Sequence, residues 1–225
     1  MKEEDVHALE SIEKLHNYNS YIFEKIYNKG ISKEILDFGC GYGTFIDYLK
    51  KKFNLEIIGY EINPEAIEKL NTKRINTISS LEKNKENFDY IVSLNVLEHI
   101  KNDEKTIEDL NFLLKDSGIL ILYLPHSMKI WTDLDELVGH YRRYTRKDLF
   151  TKLEQAGFNI ISWEYVDFIG WIALYLSKLL RINLNYEEKR LIKYDKYIFK
   201  FLKYLDVLFK YFVGKNILVV CRKKK

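Results

Sequence analysis

Cysteine and proline are scarce in this chain of 225 residues, which contains only Cys40, Cys221, Pro64 and Pro125 of these two types. Two cysteines cannot form the set of disulfides that holds small secreted domains together, so a reducing, cytoplasmic location is expected. No linker rich in serine, glycine or proline divides the chain. With 47% hydrophobic residues, we therefore expect one domain over residues 1–225.

The sequence also lacks a long apolar run. The longest uncharged apolar segment covers residues 168–177, about half of the roughly 20 residues that a helix needs to cross a bilayer. The first residues are charged and no apolar core follows them, so no secretory signal is expected. The net charge of +3 is too small to indicate a nucleic acid by itself, and DNA is not an expected partner.

Three of the ten glycines lie together. Residues 34–45 read EILDFGCGYGTF, a short apolar segment followed by Gly39, Gly41 and Gly43 and then by a helical pattern. A strand that ends in such a turn exposes backbone at the start of a helix, where a ligand can approach closely. A dinucleotide-binding turn would have another glycine three residues after the second, but Thr44 occupies that position.

A carboxylate follows about twenty residues later. Glu61 comes directly after the apolar run 55–60, and Asn63 and Pro64 are typical of a helix N-cap and first helical position. Glu61 is therefore expected just beyond the carboxyl end of the second strand, where parallel α/β sheets bind ligands. Its two oxygens could bind both hydroxyls of a ribose, which does not distinguish one nucleoside-containing cofactor from another.

Apolar patterns predict strands and helices in alternation. The predicted strands cover residues 35–38, 55–60, 75–80, 88–94, 119–124, 158–166 and 216–221, and predicted helices include 7–28, 103–115 and 145–157. Such alternation is typical of a doubly wound α/β sheet.

The stretch from Asp37 to Gly43 resembles the first motif of class I S-adenosylmethionine-dependent methyltransferases. Residues 88–100, FDYIVSLNVLEHI, are similar to the fourth motif of its small-molecule members. The string GHYRRYT at residues 139–145 resembles a bacterial and archaeal subfamily found near glycan or lipid biosynthesis. This resemblance covers residues 7–220 and implies a Rossmann-like methyltransferase fold of seven strands, with the last strand antiparallel and S-adenosylmethionine as cofactor.

The resemblance also implies which residues bind the cofactor. In that family the acid at position 37 lies near the methionine amino group, the glycines make room for the sulfonium, and the segment around residue 18 covers the cofactor. An acid that often binds adenine after the third strand is missing, since residues 79–81 are Ser-Ser-Leu. The cofactor-binding candidates are Tyr18, Asp37, Gly39, Cys40, Gly41, Gly43, Glu61, Ile62, Leu94 and Asn95.

A metal is not expected beside the fourth strand. Some ubiquinone-pathway and RNA-terminal methyltransferases resemble a Glu-x-x-Glu-His pattern at this point and hold Mg²⁺ with it. This chain has Asn95 in place of the first glutamate, ahead of Glu98 and His99. The change removes one anionic ligand from a site for a hard cation.

The loop at residues 126–145 is expected to bind the acceptor, because long ordered loops at the carboxyl end of a strand usually have a function. Methyl transfer requires an aligned oxygen or nitrogen nucleophile and removal of its proton. His140 is the first candidate base and His126 the second, while Arg143 could bind a carboxylate or phosphate. The candidates for catalysis are His140, His126, Arg143 and Tyr144. Alternatively, Asp135, His140 and the arginines form a buried network that only fixes the loop.

Residues 168–215 form an insertion before the last strand. The insertion contains ten lysines and arginines against four acids, and many aromatic residues keep helical spacing between them. A basic amphipathic segment of this kind can cover the active site, form a homodimer, or contact the inner face of a membrane. All three roles stay open at this point.

Together these features predict transfer of a methyl group from S-adenosylmethionine to a small-molecule, lipid-linked or glycan-linked acceptor, with oxygen favoured as the methylated atom. One alternative is an RNA or protein methyltransferase that uses the basic C-terminal helices. Another is a partner domain that binds the cofactor without catalysis.

Overall fold

Seven strands form one sheet in a computed structural model that describes residues 14–84, 87–181 and 188–224. The strands are β1 (Ile35–Phe38), β2 (Ile57–Tyr60), β3 (Thr77–Ile78), β4 (Phe88–Leu94), β5 (Leu114–Pro125), β6 (Phe158–Val166) and β7 (Asn216–Lys223). Their order across the sheet is β3-β2-β1-β4-β5-β7-β6. The strand β7 is antiparallel to both neighbours, and the other pairs are parallel. The predicted doubly wound sheet with an antiparallel last strand is confirmed.

Helices cover both faces of the sheet. They are α1 (His16–Tyr27), α2 (Thr44–Phe53), α3 (Pro64–Thr72), α4 (Asp103–Leu113), α5 (Asp133–Leu137), α6 (Arg146–Gln155), α7 (Phe168–Leu179), α8 (Glu188–Tyr194) and α9 (Leu205–Phe209). A π-helical turn (Asp195–Phe199) and a short α-helical turn (Lys200–Leu202) join α8 to α9. None of the helices in the described ranges combines the length and apolar character that a membrane span requires.

Several predicted boundaries differ from the observed ones, among them the ends of two helices. The first helix was predicted to begin at residue 7; in the described residues it begins at His16, and residues 7–13 lie outside the description. The helix predicted to reach Lys115 ends at Leu113, because Leu114 already pairs with Phe88 as the first residue of β5.

The core consists of two apolar layers, one on each face of the sheet, and β5 contributes to both. Leu120, Leu122 and Leu124 point into the layer under α4 and α6, whereas Ile121 and Tyr123 point into the layer under α1 and α2. Successive side chains of a strand point to opposite faces. A strand covered on both faces therefore needs the continuous apolar run seen here.

The carboxyl ends of β1, β2 and β4 lie at one edge of the sheet, which we call the carboxyl edge. Because β7 is antiparallel, its first residue is at this edge as well: Asn216 is in register with Pro125 of β5 and Val166 of β6. The insertion at residues 168–215, which connects β6 to β7, therefore leaves and re-enters the sheet at the carboxyl edge.

The insertion is attached to α1. The Asp195 side chain accepts hydrogen bonds from the backbone amides of Asn17 (2.9 Å) and Tyr18 (2.7 Å), which belong to the first turn of α1. The ring of Phe199 packs against Tyr18, with ring centroids 5.1 Å apart. A carboxylate at this position satisfies amides that have no partner within the helix and interacts favourably with its dipole.

We expect the substitution Asp195→Ala to lower the free energy of unfolding by about 1–2 kcal/mol, because the first turn of α1 loses its acceptor. Urea unfolding followed by circular dichroism measures this change. Asp109→Ala is the control, since Asp109 is an exposed residue of α4 that pairs with Lys105, and its loss is expected to cost less than about 0.5 kcal/mol. Equal costs for the two variants would contradict the capping role.

Candidate active site

The glycine turn packs directly against neighbouring elements. Gly39 has φ 76°, and a Cβ on it would lie 2.4 Å from Cγ2 of Val96. Gly43 also has φ 76° and is the N-cap of α2, where a Cβ would lie 2.4 Å from Cδ1 of Ile75. Both positions require glycine, for conformation and for space. The turn thus presents bare backbone at the carboxyl edge.

Glu61 lies at the carboxyl end of β2, as predicted, and three backbone amides fix its carboxylate. Its Oε2 accepts a hydrogen bond from Gly41 (2.8 Å), and its Oε1 accepts from Ile62 (2.8 Å) and Asn63 (2.9 Å). The bond to Gly41 joins β2 to the glycine turn, so the two features that the sequence separated by twenty residues form one unit.

A cavity of about 300 Å³ opens beside Glu61. Its lining comes from the ends of β2 and β3 and from the start of α3, namely Tyr60, Glu61, Ile62, Ile67, Thr77, Ile78 and Ser79. The sequence indicated Glu61 and Ile62 only. The short strand β3, which pairs with β2 over two residues, brings in Thr77, Ile78 and Ser79. The volume is at the lower end of the range for small-molecule sites.

Asp37 is buried near the end of β1, with 2% of its surface exposed. Burial, together with the nearby charge of Glu61, raises the pKa of Asp37 to about 8. Without a bound cation this carboxyl is therefore mostly protonated at neutral pH. A positively charged group placed beside it would favour the ionised form.

The other cofactor candidates lie along the same edge. Cys40 is buried, and burial raises the pKa of its thiol, which leaves it unreactive. The side chain of Ile62 is largely exposed beside the cavity, and Leu94 is half-buried at the end of β4. Asn95 follows with φ 52° and accepts a hydrogen bond from Asn216.

Tyr18 lies near the end of β5 rather than at the cavity. Its hydroxyl is 2.7 Å from that of Tyr123, and the Nζ of Lys215 lies over its ring at 5.1 Å from the centroid. Burial is the main cause that raises the pKa of Tyr18 to about 12. This position is held by the contacts of Tyr18 with Phe199 and Asp195 of the insertion.

The loop at residues 126–145 contains an ordered polar cluster around Asp135. His140 Nδ1 lies 2.8 Å from Oδ1 of Asp135, and Arg143 donates Nε to Oδ1 (2.8 Å) and Nη2 to Oδ2 (3.0 Å). Although burial alone would raise the pKa of Asp135, its hydrogen bonds to His140 and Arg143 hold that pKa below its ordinary value. Asp135 is therefore ionised and acts as acceptor to both partners.

Glu98 faces His140 from the end of β4. It is fully buried, and neither of its carboxylate oxygens has a hydrogen-bond partner among the described residues. Its Oε1 lies 3.9 Å from Nε2 of His140. Burial raises the pKa of Glu98 to about 8. An unpaired carboxyl at this depth is costly unless it serves another group.

His99 completes the group. Its ring meets that of His140 edge-on, with centroids 4.6 Å apart, and ligand atoms of Glu98, His99 and His140 all lie within 4.8 Å of one another. Two imidazoles and one carboxylate form a set that transition metals accept more readily than Mg²⁺, which prefers oxygen ligands. The sequence-based expectation of no metal stays a prediction, and this trio is the place to test it.

His126 and Tyr144 occupy structural positions. His126 Nδ1 lies 2.9 Å from the carbonyl oxygen of Tyr144, and its ring stacks on Tyr165. Burial, and to a lesser extent Arg143, lower the pKa of His126 to about 4, which makes it a weak base. The proposed catalytic role for Tyr144 does not fit its position: the side chain is fully buried and its hydroxyl donates to Asp103 (2.8 Å), so it cannot reach an acceptor in this structure.

Comparison with protein families identifies the family to which this chain belongs. The family described as "Methyltransferase domain" matches residues 7–163. This chain belongs to the methyltransferase domain family. The fold is the Rossmann-like fold of S-adenosylmethionine-dependent methyltransferases, and S-adenosylmethionine is the cofactor.

Known relatives agree with this assignment. The ubiquinone biosynthesis O-methyltransferase of Rickettsia canadensis is 36% identical over 133 residues, which cover 54% of this chain and 56% of that protein. The cyclopropane-fatty-acyl-phospholipid synthase of Escherichia coli is 26% identical over 115 residues, which cover 48% and 30%. This chain therefore matches about half of the first relative's length and less than a third of the second's.

A solved structure shows the same fold over nearly the whole chain. The S-adenosylmethionine-dependent methyltransferase from Archaeoglobus fulgidus superposes with a TM-score of 0.60 at 18% identity, covering 91% of this chain and 94% of that one. This likeness extends beyond residue 163 and therefore includes the last strands of the sheet.

Asp37 gives a testable pH dependence. The unfolded chain releases this proton near pH 4, whereas the folded protein releases it at about pH 8. Since the folded state holds the proton more tightly, the wild-type free energy of unfolding falls as pH rises between these values. We expect Asp37→Asn to gain on the order of 3 kcal/mol relative to wild type between pH 5 and pH 9, measured by urea unfolding of the ligand-free protein.

The control is Asp109→Asn, which makes the same chemical change at an exposed site. Its stability curve is expected to run parallel to that of wild type across this pH range. A parallel curve for Asp37→Asn as well would mean that the folded protein does not hold the proton.

Proposed function

We propose that the protein transfers the methyl group of S-adenosylmethionine to an oxygen of a lipid-linked or glycan-linked acceptor, with His140 as the proton acceptor. The observation that carries this proposal is the arrangement at the carboxyl edge. A cavity lined by Glu61 lies at one end of that edge, and the ordered His140 cluster lies beyond β4. The finer relationship to the subfamily with the Gly139–Thr145 string belongs to the same proposal.

The residues at the edge fit the cofactor. Glu61 offers the oxygens for both ribose hydroxyls, and the cavity between β2 and β3 suits an adenine, with Ser79 as a polar contact where an acid is missing. Asp37 is a buried carboxyl that a cationic amino group would ionise, and the glycine turn lets backbone approach the ligand. When bound, S-adenosylmethionine supplies a methyl group on a positively charged sulfur.

The role of His140 follows from its hydrogen bonds. Because Asp135 is ionised and can only accept, Nδ1 of His140 carries a proton and donates it to Asp135. Nε2 therefore has the lone pair and can take the proton of an acceptor hydroxyl as the new oxygen–carbon bond forms. The carboxylate of Asp135 would stabilise the imidazolium that results, while Arg143 keeps Asp135 in place.

The acceptor class rests on two supports of different kinds. One is the similarity to a ubiquinone biosynthesis O-methyltransferase and to a cyclopropane-fatty-acyl-phospholipid synthase. The other is that the insertion, which emerges at the carboxyl edge, exposes a large apolar and basic surface. Oxygen is favoured as the methylated atom because a neutral imidazole is suited to removing the proton of an acidic hydroxyl.

The cofactor part is tested by isothermal titration with S-adenosylhomocysteine. We expect Glu61→Ala to weaken binding by roughly 10- to 100-fold, because two charge-assisted hydrogen bonds to the ribose are lost. Glu65→Ala is the matched control, since Glu65 lies four residues away with its side chain directed to Tyr42 and Lys69. We expect its affinity to stay within threefold of wild type. Absence of binding by the wild-type protein would contradict the assignment, as would an unchanged affinity in Glu61→Ala.

The catalytic part is tested with labelled S-adenosylmethionine and an alkyl catechol in detergent micelles as probe acceptor. We expect His140→Ala to lower kcat by roughly 10²- to 10⁴-fold, since a positioned base contributes about this much. His126→Ala is the comparison, and its kcat should stay close to that of wild type.

Two outcomes would overturn the role of His140. One is a His140→Ala variant with wild-type kcat at every pH. The other is activity that EDTA abolishes and a divalent cation restores, which would assign Glu98, His99 and His140 to a metal instead. Tight cofactor binding without methylation of the catechol or of a total lipid extract would favour the non-catalytic alternative.

A further inference from the structure

We propose that the outer face of the insertion docks on the surface of an anionic lipid bilayer. Docking requires neither cofactor nor acceptor, so this inference goes beyond the proposed function and can be tested apart from it. The outer face consists of an apolar stripe, defined as Tyr197, Phe201, Tyr204, Leu208 and Tyr211, and of the basic residues on either side of it.

The helical segment at residues 195–213 exposes apolar side chains and buries acidic ones, the reverse of what a surface helix usually does. The stripe residues follow one another at intervals of four, three, four and three, so they lie on one side of the helical segment. Each is between 58% and 67% exposed. On the opposite side, at the same spacing, Asp195, Phe199 and Asp206 face the protein and are buried. A surface helix ordinarily buries its apolar side.

The buried acids explain how this orientation is fixed. Asp206 accepts hydrogen bonds from the amides of Asp167 (2.9 Å) and Phe168 (2.8 Å) and from the hydroxyl of Tyr21 (3.0 Å). Asp195 binds the first turn of α1 in the same manner. Both carboxylates are therefore committed to the body of the protein, and the helical segment cannot rotate to bury its stripe without leaving them unpaired.

The exposed apolar surface is concentrated in the insertion. Twelve of the eighteen large apolar side chains that are exposed in the described parts of the chain lie between residues 175 and 212. Besides the stripe they are Tyr175, Leu176, Leu179, Leu180, Ile198, Val207 and Phe212. Exposed apolar side chains concentrated in one part of a protein mark an interaction surface.

The charge of the outer face indicates which kind of partner binds there. Between residues 189 and 212 the chain has Lys189, Arg190, Lys193, Lys196, Lys200, Lys203 and Lys210. The two acids of this range, Asp195 and Asp206, are buried, so the outer face carries positive charge alone. Lysines that flank aromatic rings, as Lys196 flanks Tyr197 and Lys200 flanks Phe201, can reach phosphates while the rings enter the interface.

A bilayer fits this face better than the other occupants. A symmetric dimer through the stripe would bring two sets of lysines together, and like charges disfavour such a contact. RNA would match the charge and stack on the aromatic rings, but it offers no apolar interior for Leu208, Val207 and Ile198. An anionic bilayer supplies both negative headgroups and hydrocarbon.

The geometry of the sheet adds a functional consequence. The insertion begins after Val166 and ends before Asn216, and both residues lie at the carboxyl edge beside Pro125. Lys215, next to Asn216, pairs with Asp167 (2.9 Å) and closes the base of the insertion. A bilayer docked on the outer face would thus be on the same side of the sheet as the candidate active site.

The experiment is flotation of the whole protein with vesicles of phosphatidylcholine containing 30% phosphatidylglycerol, compared with vesicles of phosphatidylcholine alone. We expect wild type to float with the anionic vesicles and not with the neutral ones. Lys196→Glu/Lys200→Glu should lower the partition coefficient by roughly thirtyfold or more, since two basic residues near the surface are replaced by acids. Phe201→Ala/Leu208→Ala should lower it at least tenfold.

Matched controls separate this surface from general charge and apolar content. Lys51→Glu/Lys147→Glu makes the same change of net charge on exposed residues of α2 and α6, and Phe112→Ala/Ile161→Ala removes exposed apolar side chains outside the insertion. Both double variants should bind the anionic vesicles within threefold of wild type. Circular dichroism checks that all variants are folded.

The proposal is overturned if wild type does not float with anionic vesicles, or if the substitutions in the insertion act no more strongly than their controls. A concentration-dependent dimer that Phe201→Ala/Leu208→Ala abolishes, seen by light scattering without vesicle binding, would assign the face to a second copy of the chain. Binding to a short RNA in place of vesicles would assign it to nucleic acid. None of these experiments measures methyl transfer. Their outcome therefore does not depend on whether the proposed function is correct.

Discussion

The parallel alignment of β1 with β2 and β4 is the constraint on which the site depends. It places the turn after β1, Glu61 after β2 and Glu98 after β4 on the same edge. The hydrogen bond from the Gly41 amide to Glu61 then ties the turn to the neighbouring strand end. Parallel strands expose their carboxyl ends together, and connections on that side carry the side chains that act on ligands.

Two buried acids with raised pKa values lie at this edge. Asp37 and Glu98 both have pKa values raised to about 8 by burial, whereas Asp135, equally buried, stays ionised through His140 and Arg143. A protein gains nothing in stability from a lone buried carboxyl.

The insertion, which leaves and re-enters the sheet at the same edge, carries the proposed docking face. Asp195 and Asp206 face inward and bind helix starts, whereas the aromatic side chains of the apolar stripe face outward among lysines. The side of the segment that contacts α1 and the proposed docking face are therefore opposite sides of the same segment. A movement of the segment at a bilayer would therefore displace Tyr18. The ring of Tyr18 packs against Phe199, and its backbone amide donates a hydrogen bond to Asp195.

The sequence by itself determined the order of strands and helices, the glycine turn, and the position of Glu61, because local periodicity and turn chemistry depend on neighbouring residues alone. Only the tertiary structure decided the partners of His140, the burial of Tyr144 and the role of Ser79 in the cavity lining, since these follow from strand register and loop packing. The sequence also could not predict that the apolar stripe of the insertion faces outward. Helical spacing reveals that one side is apolar, but the anchoring of Asp195 and Asp206 decides which side faces outward.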